Sequence, residues 1–190
     1  MTDFEFVFVL YSLLLGLSMV ELLGGLGRAL EARFAAEASR GQFALGWLTP
    51  LLAIFVMLDL LSFWQAAWAV RAHVAVSGTT LMAVAAFASL YYLAARLVFP
   101  SRPEGFANLD THYFRVRRIV LGLLLVLLAA QFAFYLTQPA MAAVVARPLV
   151  WGLTLVLTAL MLAAMWVRGV RASVAVLALL IARYVAVYLL

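Results

Sequence analysis

The chain contains no cysteine and no lysine. Without cysteine, no disulfide can staple the fold and no thiolate metal site can form. Acidic residues are scarce. There are 8 Asp and Glu against 13 basic residues, all of them arginine, so charged residues make up only 11% of the 190. A soluble domain carries about 25% charged residues. The polar surface is too small to cover a globule in water, which excludes a soluble enzyme and a disordered chain. What fills the chain instead is apolar: 68% of residues are hydrophobic and the mean hydropathy is +1.14. A membrane protein is the class that remains. Abundant Ala, Leu and Arg without lysine match a GC-rich bacterial genome, so the expected location is a bacterial inner membrane.

A bilayer core about 30 Å thick needs about 20 apolar residues in a helix. Six segments meet this, at about residues 6–26, 43–70, 78–99, 119–138, 148–167 and 173–190. The expected fold class is all-α, a polytopic bundle of six transmembrane helices forming one domain over residues 1–190. The acidic start, Asp3 and Glu5, lacks the basic region of a signal peptide, so the first run reads as a retained span. Pro100 and Pro139 stop the third and fourth spans, and Pro148 opens the fifth. A helical extension to Arg40, ended by Gly41, is expected after the first span, with Arg33 and Glu37 paired.

Arginine placement sets the expected orientation. With the N-terminus outside, ten arginines face inward: Arg28, Arg33, Arg40, Arg96, Arg102, Arg115, Arg117, Arg118, Arg168 and Arg171. Only Arg71 and Arg147 lie in outer loops. This positive-inside bias predicts that both termini are periplasmic. Trp47 and Trp166 then fall at inner span ends, and Trp68 and Trp151 at outer ends, as interfacial aromatics do. Basic residues beside apolar runs read as topology signals, so nucleic acid is not an expected partner. Arg102, Arg115, Arg117 and Arg118 are instead expected to meet anionic inner-leaflet headgroups. Asp110 or Thr111 is expected to cap the helix entering the fourth span.

Polar groups inside spans are costly, so they mark candidate sites. Asp59, Gln131 and Arg183 all fall near the midplane at about 1.5 Å rise per residue. Asp59 and Arg183 are expected to form an ion pair, with Gln131 as a third member. Glu21 lies nearer the inner end, on one helix face with Ser18, Gly25 and Arg28. Gly24 and Gly25 leave space beside it for close helix packing or for water, and Arg96 is its candidate partner. Gln65 points away from the Asp59 face and calls for a second partner or an oligomer contact. Ser12 and Gly16 form a small-residue face suited to a homo-oligomer or to packing within the chain.

The two histidines, His73 outside and His112 inside, lie on opposite sides and cannot share a haem or metal. No nucleophile–histidine pair or glycine-rich phosphate loop is present, so no enzyme, metal or cofactor is expected. Two functions remain. One is a small channel or transporter whose polar path runs by Asp59, Arg183, Gln131 and Glu21. The other is a non-transporting accessory or scaffold subunit of a membrane complex.

Overall fold

Where no water reaches the backbone, its polar groups must pair within the segment, which makes long apolar runs helical. The computed structural model describes residues 2–38 and 43–189. Among these residues the chain forms seven α-helices: α1 (Asp3–Ala38), α2 (Leu48–Ala69), α3 (Gly78–Val98), α4 (Leu109–Thr137), α5 (Pro139–Val145), α6 (Pro148–Trp166) and α7 (Val170–Leu189). All except α5 are long and apolar enough to cross a membrane. No strand forms among the described residues; the one extended pairing is an isolated bridge between Ala44 and Asn108.

Helix α1 buries Val7, Tyr11, Leu15, Ser18, Leu22, Gly25, Ala29 and Ala32. These steps of three and four form a narrow seam, the spacing that packs two helices nearly side by side. Its chief partner is α3. Helix α2 is central and touches α1, α3, α4 and α7, while α6 packs on α4 and α7. Leu15, Leu52, Phe55, Leu60, Tyr91, Leu124, Met161 and Leu180 form part of one buried cluster drawn from six helices. Asp3 at the start of α1 accepts a hydrogen bond from Val76 N after α2, at 3.2 Å, so the first terminus lies beside the α2–α3 connection. That end is called the terminal end below; the other is the arginine-rich end.

One boundary agrees with the sequence reading as far as it is described, and three differ. Helix α1 runs through residue 38, and Arg33 meets Glu37 at 2.9 Å as expected; Arg40 and Gly41 lie outside the described residues. Helix α2 starts at Leu48, not at residue 43, because Gly46 takes a left-handed φ of 66° and Ala44 bridges to Asn108. Helix α4 starts ten residues earlier than its apolar run. Its cap is Asn108, which accepts from Asp110 N at 2.8 Å, and not Asp110 or Thr111. Asp110 reaches across the bundle and accepts from Leu48 N at 2.9 Å, capping α2 instead. A Cβ on Gly46 would sit 2.2 Å from that carboxylate, so glycine is required there on two counts. Finally, most of the loop expected between the fourth and fifth spans is the short helix α5, opened by Pro139.

Candidate functional site

Asp59 sits midway along α2 and is 4% exposed. The expected ion pair with Arg183 is not formed: among the described residues no Asp59–Arg183 pair lies within 4.0 Å. Two tyrosine hydroxyls from other helices take its place. Tyr184 Oη of α7 donates to Asp59 Oδ1 at 2.5 Å. Tyr91 Oη of α3 lies 3.2 Å from Oδ2, and shares its single proton with Val56 O at 2.7 Å. Arg183 touches Tyr184 and not the carboxylate. The guanidinium stacks on the Tyr184 ring at 4.8 Å from its centroid. Arg183 Nη2 donates to Leu153 O of α6 at 3.3 Å, and its buried Nε has no partner among the described residues.

Gln131 belongs to the same region. Its Nε2 donates to Tyr135 Oη at 3.0 Å, and that hydroxyl donates to Ala66 O at 3.3 Å. Together these groups line a cavity of about 230 Å³ between α2, α4, α5, α6 and α7. Asp59, Ser62, Gln131, Tyr135, Thr154 and Arg183 supply its polar wall, and Met141, Val144 and Val145 of α5 its side toward the terminal end. On the other side of Asp59, α2 buries Leu48, Leu52, Phe55 and Val56 completely. The cavity therefore ends on the carboxylate against a packed apolar half. Gln131 and Tyr135 also line a second, apolar cavity of about 640 Å³, walled by Phe8, Tyr11, Phe87 and Phe134.

Glu21 does not join this constellation; it lines neither cavity. It lies toward the arginine-rich end, where its Oε1 accepts from Arg28 Nη2 at 3.0 Å and meets Arg96 Nη1 at 3.3 Å. The expected Arg96 contact is present, and Arg96 Nη2 also donates to Ser101 Oγ at 2.8 Å. Ser18 turns to its own helix and donates to Leu14 O at 3.0 Å. Gly25 has the close-packing role: a Cβ there would meet the Phe99 ring at 2.6 Å. At Gly24 a Cβ would make only ordinary contact, 3.5 Å from Arg28 Nη1. Gln65 is exposed and makes no hydrogen bond among the described residues, so it stands apart from the cavity. Gly16 faces open space, with nothing within 4 Å of a Cβ.

The four arginines assigned to headgroups divide in two. Arg102, Arg115 and Arg118 are exposed, with Arg115 stacked on Phe106 at 5.5 Å. Arg117 is 4% exposed and cannot serve a headgroup. Its guanidinium donates to Ala164 O at 3.2 Å and to Val167 O, closing the C-terminus of α6, and it stacks on Phe114. Arg118 Nε donates to Met165 O of the same turn at 3.4 Å and stacks on Trp166. Carbonyls at a helix C-terminus lack partners and carry partial negative charge, so they compete successfully for these cations. His112 also serves packing: its Nε2 lies 3.1 Å from Leu97 O and its ring is edge-on to Phe106.

Sequence reasoning missed Tyr91, Tyr184, Thr154 and helix α5. The available signal was depth. Tyr184 follows Arg183 directly in the chain, at the level assigned to Asp59.

The Glu21 cluster makes a modest prediction. The side chains of Arg28 and Arg96 are 39% and 35% exposed and can find water when Glu21 is neutralised. Exposed ion pairs contribute about 0–1 kcal/mol. Glu21→Gln is therefore expected to shift the unfolding midpoint in detergent by only a few degrees and to leave assembly intact. A collapse in folded yield would show that the two arginines depend on the charge.

Comparison with protein-family models, with curated proteins and with solved structures finds no match to this chain.

Proposed function

We propose that this chain is a small bacterial inner-membrane transporter, with both termini periplasmic, whose solute site is the cavity on Asp59. The ten-to-two distribution of arginines supports the orientation, since basic loops stay on the cytoplasmic side. One observation carries the transport reading: the 230 Å³ cavity, apolar with a polar wall, stops at a buried carboxylate and is backed by Leu52, Phe55 and Val56. A channel needs a path through; a transporter needs a midplane site open to one side at a time. Under the proposed orientation the cavity lies on the periplasmic side of Asp59, bordered by α5, and Glu21 lies outside the path. Arg102, Arg115 and Arg118, being exposed at the cytoplasmic end, are the arginines of this group left to attract anionic headgroups. The same packed half favours the second reading, a non-transporting accessory subunit, if it never opens.

The absence of native cysteine permits a direct test. Single cysteines at Ser77 and Thr154 are expected to react with a membrane-impermeant thiol reagent added outside intact cells, and one at Ser101 to be spared. Leu52→Cys, fully buried here, is expected to react slowly from the cytoplasmic face of inverted vesicles as the inner half opens. Asp59→Asn is expected to change that rate at least several-fold while Ser77→Cys labelling is unaffected. Complete protection of Leu52→Cys from both faces would sink the transport reading and leave the accessory subunit. Labelling of Ser101→Cys in intact cells would invert the orientation.

A further inference from the structure

Two opposite charges face one small cavity without neutralising each other. Asp59 and Arg183 both line the 230 Å³ space, yet no ion pair joins them. A charge near the bilayer midplane is costly, and two such charges of opposite sign are expected to collapse together unless something holds them apart. Tyr184 holds them apart. Its hydroxyl is bonded to the Asp59 carboxylate and its ring carries the Arg183 guanidinium. The remaining bonding capacity is directional. Among the described residues Arg183 has a buried Nε–H with no acceptor and one hydrogen bond, a 3.3 Å contact to the carbonyl of Leu153 inside α6. Asp59 receives one short hydroxyl bond and a share of a second proton, leaving acceptor capacity on a carboxylate with two oxygens.

Resting on the reading of this cavity as the solute site, we propose that the solute is a small zwitterion, its ammonium placed on Asp59 and its carboxylate on Arg183. A lone cation would leave the Arg183 guanidinium without a counter-charge, and a lone anion would leave the carboxylate facing it. A zwitterion satisfies both and adds no net charge to the site. Gln131, Ser62 and Thr154 supply the neutral polar wall beside it. The volume admits only a small molecule, below the roughly 300–1,000 Å³ of ordinary drug-sized sites.

The test uses the full chain purified in detergent, with titration calorimetry of glycine, β-alanine and γ-aminobutyrate against ethylamine and propionate, which carry one charge each. At least one zwitterion is expected to bind about tenfold more tightly than either single-charge probe, the ratio that one extra charge-assisted hydrogen bond supplies. Arg183→Gln is expected to erase its advantage over ethylamine, and Asp59→Asn its advantage over propionate. The unmodified protein alone decides the matter if either variant fails to fold. Zwitterions binding no better than ethylamine or propionate, or no binding of any probe at millimolar concentration, would overturn the proposal. Zwitterion binding together with complete protection of Leu52→Cys would retain this site and remove transport. Slow labelling of Leu52→Cys without zwitterion binding would do the reverse.

Discussion

Arg117→Ala is expected to cost about 3–6 kcal/mol of stability, because hydrogen bonds to a charged group contribute about 1.5–3 kcal/mol each and this side chain makes two. The acceptors, Ala164 O and Val167 O, close the last turn of α6 just before the chain turns into α7. Without the guanidinium they are left without a donor at a helix end that already carries partial negative charge. The stacking of Arg117 on Tyr113 and Phe114 is lost as well. Arg117→Lys is expected to recover part of the loss, since one ammonium keeps the charge but not the planar fork. Arg115→Ala provides the contrast. That arginine is exposed, and its stacking on Phe106 contributes about 0.5–1 kcal/mol. Unfolding midpoints in one detergent measure all three variants. If Arg117→Ala is as mild as Arg115→Ala, the capping account of Arg117 is wrong.

The second large effect lies at Asp59. Asp59→Leu orphans the buried Tyr184 hydroxyl, and Tyr184→Phe deprives the carboxylate of its closer donor. Leaving a buried polar group unmatched costs about 1–3 kcal/mol, and more for a charged one. The double variant leaves neither group exposed to this penalty, and replacing both partners by apolar groups is often nearly neutral. The two single losses are therefore expected to exceed the double loss by about 1–3 kcal/mol, the coupling found between direct neighbours. Tyr91 contributes less, since its proton is already shared with Val56 O. A parallel cycle of Asp59→Leu with Arg183→Leu is expected to show weaker coupling, because no ion pair links them. Reversible unfolding in mixed micelles measures both cycles. Stronger coupling to Arg183 than to Tyr184 would restore the ion pair as the partner of Asp59.

The contrast between these arginines and tyrosines shows where a linear reading stops. Residue spacing gives depth along a helix well, but direction around its axis only relative to other residues of the same helix. Arg115, Arg117 and Arg118 have similar depth, and all looked like headgroup contacts. Successive residues rotate by about 100° on a helix of 3.6 residues per turn. That rotation puts Arg117 into the groove beside α6 and Arg115 outside. Tyr91 and Tyr92 make the same point, one fully buried against Asp59 and the other exposed. Glu21 with Arg28 was legible because both lie on one helix, seven residues and about two turns apart. Arg96 was legible because its depth matched and a cation was needed.

Composition and run length alone determined that this chain is helical and has six segments long enough to span a membrane. Both are properties of one segment at a time: apolar length and the obligation of the backbone to pair within itself. The costly polar residues could also be named from position. Which of them meet is a property of three or more helices at once. Only the tertiary structure decided that Asp59 meets two tyrosines, that Arg183 is held off by one of them, that Asp110 caps α2, and that α5 borders the cavity. Each depends on the azimuth of one packed helix against another, set by how side chains interdigitate across the interface and not by the pattern along any single helix.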